Sequence, residues 1–315
     1  MRINKISDIL NRAEEHEQMQ MGSLIKGINW LLYSNIFIAF CAVALSVQTL
    51  FLLQQDWKTS PALLGLVFFS TWFIYALHRL VSFQKLNASL DIPRFQIIGN
   101  YQQHIQGYAL VAAVLAGACF FFLEGATQLA LILPALLSLG YVLPFIGKQQ
   151  LRLRDLHFVK IFLIAIVWAY VTVLLPILET ATFSSLSTVG GLFLERALFI
   201  FIITLPFDLR DWKLDEHHAV KTIPTLLGPQ NTIYLGLFLL IIWNLFTTFL
   251  YSWPSTLGFY ATSLGTAILL WHTLDWKSKS SDLQIVEHDY YYTGLIDGTM
   301  ILQAVLVIGV ALGLS

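Results

Sequence analysis

The chain has 315 residues, 57% of them hydrophobic and 12% charged, with a formal net charge of −1. A soluble domain carries about 25% charged residues. The composition therefore excludes an ordinary soluble enzyme and indicates an all-α, polytopic membrane protein, and the near-neutral balance gives no basis for a nucleic-acid partner.

Met1 to Gly22 is polar and shows no cleavable signal pattern. Ile3, Ile6, Leu10 and Ala13 recur at helical spacing, so residues 1–22 are expected to lie on the inner leaflet as an amphipathic interfacial helix. A spanning helix needs about 20 mostly apolar residues. Nine segments meet that description: 28–53, 62–83, 107–123, 126–146, 158–178, 191–207, 230–251, 254–273 and 294–314. Together they predict a nine-helix bundle over 28–314, within a single membrane domain, 1–315. Cys41 and Cys119 fall in separate apolar runs and read as inert thiols.

Charge sets the orientation. With the N-terminus inside, 16 of the 18 Lys and Arg residues fall on inner segments, and Lys58 and Arg196 alone fall outside. Positive residues stay cytoplasmic, so the chain is expected N-in and C-out. The inner loops, about 84–106, 147–157, 208–229 and 274–293, are the longer ones. They form a polar cap, which puts any chemistry at the cytoplasmic face of a multi-pass protein, expected in a bacterial inner membrane.

The sixth segment ends in "PFDLRDWKLDEHHAVKTIPTLLG". Asp208, Asp211 and Asp215 stand at i, i+3 and i+7, on one helix face. Like charges so placed repel, and beside lipid their desolvation is costly. A divalent cation offsets both effects, and Mg²⁺ favours a few carboxylates together with phosphate oxygens. The pattern reads as a Mg²⁺–diphosphate site with Lys221 meeting the phosphate, or as a solvated juxtamembrane turn.

This stretch resembles the second aspartate motif of the UbiA-type superfamily of intramembrane prenyltransferases, in which D-x-x-D-x-x-x-D precedes K-T-x-P and a glycine. Asp208, Asp211, Asp215, Lys221, Thr222, Pro224 and Gly228 match, while His218-Ala219-Val220 stands where a glycine is usual. "YVLPFIGKQQLRLRDLHFVK" is similar to the family's basic stretch after the fourth helix, with Lys148, Arg152 and Arg154 as candidate diphosphate ligands. The resemblance implies prenyl transfer from an isoprenyl diphosphate to an aromatic or lipid-like acceptor. It implies Mg²⁺ on Asp208, Asp211 and Asp215, which are then the catalytic carboxylates. No obligate protein partner is evident in the sequence. Aromatic residues, 14% of the chain, would shield the allylic cation from water.

The family's other acidic motif, at the end of the second helix, is missing. No Asp or Glu occurs between Asp56 and Asp91, and His78-Arg79 takes the approximate place of its Asn-Asp pair. Three readings follow: Arg79 grips diphosphate directly, Arg79 pairs with Asp208 or Asp211 as a structural bridge, or the pocket serves another lipid-like molecule. A non-catalytic UbiA-fold protein that binds a lipid or partner is thus the alternative to an enzyme. Asn35, His78 and Asp297 are further candidates to line a pocket. The eight histidines show no pair at mid-membrane depth that would bind haem.

Overall fold

The computed structural model describes residues 27–28, 30–86, 102–147, 151–182, 185–217, 220–279 and 290–313. The expected interfacial helix 1–22 and Lys148 lie outside the described residues. The helices are α1 Ile36–Leu52, α2 Pro61–Leu86, α3 Gln102–Phe120, α4 Gly125–Ala130, α5 Ile132–Val142, α6 Val159–Ala169, α7 Leu175–Glu179, α8 Leu186–His217, α9 Ile223–Leu250, α10 Ser255–Lys279 and α11 Asp297–Gly313.

Their boundaries follow local chemistry. Pro61 opens α2 where a missing N–H costs nothing. Thr222 caps α9 by donating its backbone N–H to Thr225 Oγ1 at 2.8 Å, with Pro224 in the first turn. Gly228, at φ 77°, and Pro229 then break α9 before its long apolar run. A π-helical turn at Tyr170–Leu174 interrupts the fifth predicted span, and another at Tyr290–Ile296 opens the ninth. The fourth span is two short helices, α4 and α5, and the sixth is longer than expected, 32 residues running well past both predicted ends.

Among the described residues, seven helical segments are long and apolar enough to cross a membrane: Pro61–Ser82, Gln102–Phe120, Gly125–Val142, Val159–Glu179, Leu186–Lys213, Ile223–Leu250 and Tyr290–Gly313. The helix α1 is apolar but shorter, at 17 residues. Large apolar side chains such as Leu110, Phe162, Leu194, Phe238, Leu264 and Val305 face outward, a surface suited to hydrocarbon rather than water.

The helices pack around a ring. α1 packs on α2, α2 on α5, α5 on α6, α6 on α8, α8 on α9, α9 on α10, α10 on α11, and α11 returns to α1. The helix α3 stacks against α2. At Gly258 the α10 and α11 backbones come so close that a Cβ would sit 2.5 Å from Val307 Cα. One half of the ring is filled by aromatic packing, with Phe199 stacked on Trp243 at 5.1 Å and Tyr251 on Phe259 at 4.4 Å. The other half encloses a cavity.

Candidate active site

The cavity is ≈ 420 Å³ and is walled by α1, α2, α5, α6, α8 and α11. Its walls are mostly apolar, with Phe37, Phe73, Tyr75, Tyr141, Trp168 and Phe207 among them. Most of its charged groups gather toward one end, where His78, Arg79, Tyr141, Arg154, Lys160, Arg210 and Asp211 line it, while Asn35, Thr204 and Asp297 are also part of the wall. Thr172 and Leu175 line it farther along the same strut as Lys160. At 1.5 Å per residue, Lys160 to Leu175 spans about 22 Å. A mostly apolar cavity with a few convergent charges is the usual form of a small-molecule site.

The acidic face of α8 borders this charged end. The carboxylates of Asp208, Asp211 and Asp215 all turn toward a single cation, Lys160. Its Nζ lies 2.8 Å from Asp208 Oδ1, 3.5 Å from Asp211 Oδ2 and 3.7 Å from Asp215 Oδ2. Asp208 is 1% exposed and the Lys160 side chain 7%. Sequence reasoning counted Lys160 for orientation and assigned it no role in the site. Its one signal was position: it closes the basic stretch and stands one residue inside an apolar run.

Backbone bonds hold Lys160 in place. Phe158, at φ 61°, starts α6 and donates its N–H to the Lys221 carbonyl at 2.9 Å. The Lys221 N–H donates to His157 Nδ1 at 3.1 Å, and Val220 N–H to the Asp215 carbonyl at 2.9 Å. The Lys221-Thr222 segment therefore clamps the start of α6 against the end of α8. The side chain of Lys221 is exposed and is not part of the cavity wall.

The other cations are each placed by partners. Arg210 pairs with Asp211, Nε to Oδ1 at 3.0 Å, and sits against the rings of Phe207 and Tyr292 at 5.2 and 5.3 Å. Arg154 bonds His78 Nε2 and lies over the Tyr141 ring at 5.2 Å. Burial lowers the pKa of the Arg154 guanidinium, but Tyr141, Asp211, Asp155 and Asp215 raise it further, so it stays firmly charged. Arg152 is engaged by Asp155, Nη2 to Oδ1 at 2.9 Å, so the basic stretch turns Arg154 rather than Arg152 toward the cavity. Burial pushes the Asp215 carboxyl up, against the opposing pull of Lys160.

Arg79 serves a break in the chain. Asn35 adopts a left-handed conformation, φ 63°, at the start of α1. Arg79 donates to the carbonyls of Tyr33 and Leu32 beside that break, and Trp72 Nε1 donates to the Ser34 carbonyl at 2.8 Å. Groups freed by a break in lipid are thus satisfied from α2. The cation seated among the three carboxylates is Lys160. Asn35 lines the cavity, and its buried Nδ2 lacks a hydrogen-bond partner. His78 and Asp297 also line it.

The geometry bears on the Mg²⁺ that the resemblance implies. The common focus of the three carboxylates holds an ammonium group. Among the described residues no group of three or more His, Cys, Asp or Glu is arranged to hold a metal ion. As they stand, these side chains do not fit a divalent ion at that focus.

A second buried charge cluster lies deeper in α8. Arg196, counted on the outer side of the membrane from the charge pattern, is buried within the protein, 1% exposed. Arg196 donates to the Leu45 carbonyl at 3.1 Å and to Thr172 Oγ1 at 3.0 Å. Glu195 accepts from Trp243 Nε1 at 2.9 Å, Tyr251 OH at 3.2 Å and Gln303 Nε2 at 3.3 Å.

No family model and no curated protein matches the sequence. Solved structures share its fold. One is a UbiA homologue from Archaeoglobus fulgidus bound to GPP and Mg²⁺, at 12% identity and a TM-score of 0.57, covering 90% of this chain and 99% of that one. The same homologue bound to DMAPP and Mg²⁺ gives 12% identity and a TM-score of 0.56 over the same shares. A structure concerned with digeranylgeranylglyceryl phosphate synthase gives 13% identity and a TM-score of 0.54, covering 92% of this chain and 99% of that one. The chain has the fold of the UbiA-type prenyltransferase superfamily. It is an integral, multi-pass membrane protein.

Proposed function

We propose that this protein binds an isoprenyl diphosphate at the cytoplasmic face of the membrane and transfers the prenyl group to an aromatic or lipid-like acceptor. The observation that carries the reading is the long apolar cavity with His78, Arg79, Arg154, Lys160 and Arg210 gathered at one end. The diphosphate would lie among those cations and the prenyl chain along the apolar walls. Arginine suits bidentate contact with phosphate oxygens.

The chemistry follows from that placement. The bond between C1 of the prenyl chain and the diphosphate oxygen breaks, and the electron pair leaves with the diphosphate. Arg79, Arg154 and Arg210 stabilise that charge where it develops. The allylic cation stays among Tyr75, Tyr141, Trp168 and Phe207 until the acceptor attacks C1 and releases a proton. The wall excludes the water that would otherwise capture it. In the A. fulgidus homologue the same fold holds GPP or DMAPP with Mg²⁺.

A second reading is favoured by one observation: the carboxylates matching the family motif are already occupied by Lys160. On that reading the cavity holds a prenylated or other apolar lipid and performs no transfer. Purified protein incubated with labelled prenyl diphosphates of several lengths, with candidate acceptors, separates the two. Release of diphosphate is expected; tight binding of a prenyl alcohol with no release under any condition would select the lipid-binding reading.

A further inference from the structure

We propose that Lys160 is a built-in replacement for a divalent metal, so that this site takes its prenyl diphosphate without Mg²⁺. The inference rests on the prenyl-diphosphate reading for its ligand, but its central claim concerns this chain's own residues. One Nζ lies within 3.7 Å of all three carboxylates, the position a bridging cation would need. An ammonium there removes the mutual repulsion of Asp208, Asp211 and Asp215 and repels any second cation.

Three further observations agree. First, the lysine is held against its local preference: it stands at the second residue of α6, beside the positive end of the helix dipole. Carboxylates from α8 must offset that placement. Second, it cannot easily swing away, because its side chain is buried and the Phe158–Lys221 and Lys221–His157 bonds clamp the start of its helix. Third, the opposite wall has changed in the same sense. α2 carries no acid, and its His78 and Arg79 line the charged end of the cavity instead. Lys160, Arg79, Arg154 and Arg210 set four positive charges against the three carboxylates. What a diphosphate meets is a set of guanidinium groups, with no acid on α2 and the α8 carboxylates turned to Lys160.

The test has a metal arm and a ligand arm. In the metal arm, Mn²⁺ alone is titrated into the purified protein and followed by electron paramagnetic resonance. The wild-type chain is expected to bind no stoichiometric Mn²⁺, and Lys160→Ala to gain a site. Stoichiometric Mn²⁺ on the wild type would overturn the proposal, and this holds even where the variant does not fold. In the ligand arm, binding of geranyl thiolodiphosphate is measured in EDTA and in excess Mg²⁺. Equal affinity is expected; binding lost in EDTA would overturn the proposal. An analogue bound in neither condition, beside Mn²⁺ bound only by Lys160→Ala, would remove the prenyl-diphosphate reading and leave the lysine in the metal's place.

Discussion

Lys160 Nζ and Asp208 Oδ1 stand 2.8 Å apart in a nearly dry contact between α6 and α8. Neither charge would be stable at that burial without the other. Breaking a buried pair by removing one partner costs about 3–5 kcal/mol, because the other charge is left uncompensated. Lys160→Met should therefore destabilise the protein by about that amount. Lys160→Met combined with Asp208→Asn should recover part of the loss. Thermal unfolding in detergent checks both, and a single variant as stable as wild type would mean that the carboxylates draw their compensation from elsewhere.

The charged end of the cavity is predicted to divide the basic stretch unequally. Arg154 lines the cavity, whereas Arg152 is paired to Asp155. A hydrogen bond to a charged group contributes about 1.5–3 kcal/mol. Arg154→Gln should weaken binding of a prenyl diphosphate analogue by about 10- to 100-fold at 1.4 kcal/mol per decade. Arg152→Gln should change it little. Equilibrium binding of the two variants, side by side, decides the assignment.

Chain length should be set along α2. Ser70 lines the cavity nine residues before Arg79, about 13 Å away at helical rise. Ser70→Phe puts a ring across the apolar section without touching the charged end. Binding of a geranylgeranyl chain should fall sharply while a geranyl chain is retained. Loss of both to the same degree would show that the chain runs by another route.

The helices and the acidic face were legible because both are periodic. Apolar runs mark the helical segments, and Asp208, Asp211 and Asp215 repeat at a spacing that puts them on one side. Lys160 was not legible as a site residue. Its contact with Asp208 depends on how α6 packs against α8, and one lysine among many carries no periodic signal. The break at Asn35 was hidden for a similar reason, since the groups that satisfy it, Arg79 and Trp72, come from α2. The burial of Arg196 was hidden in the same way, since Leu45, Gln48, Thr49 and Thr172, which it bonds, come from other segments. The start of its helix, expected at 191, is at Leu186.

The pH dependence of stability should carry the mark of Asp215. Burial pushes its carboxyl up, so the folded protein keeps this proton to higher pH than the unfolded chain does. Stability therefore falls as pH rises from the ordinary aspartate value, about 3.9, through the raised one. Asp215→Asn removes the ionised form. The variant should be more stable than wild type at neutral pH, and the advantage should vanish below the ordinary aspartate range. Unfolding temperatures of the two proteins across that interval test the sign.

The buried cluster at Glu195 and Arg196 should matter for folding and not for the diphosphate. It ties α8 to α1 through Leu45, Gln48 and Thr49, and to α9 and α11 through Trp243, Tyr251 and Gln303. The Nε of Arg196 lies 4.0 Å from Glu195 Oε2, so each offsets the other's charge at close to zero exposure. Removing the guanidinium alone, in Arg196→Met, leaves a buried carboxylate with only neutral donors and should cost about 3–5 kcal/mol. Glu195→Gln keeps an acceptor for Trp243 and, combined with Arg196→Met, should restore much of the stability. Affinity for the diphosphate analogue should be unchanged in the double variant, because Arg196 stands behind the cavity wall and meets it at the hydroxyl of Thr172. A double variant that folds but no longer binds would move this pair from scaffold to site.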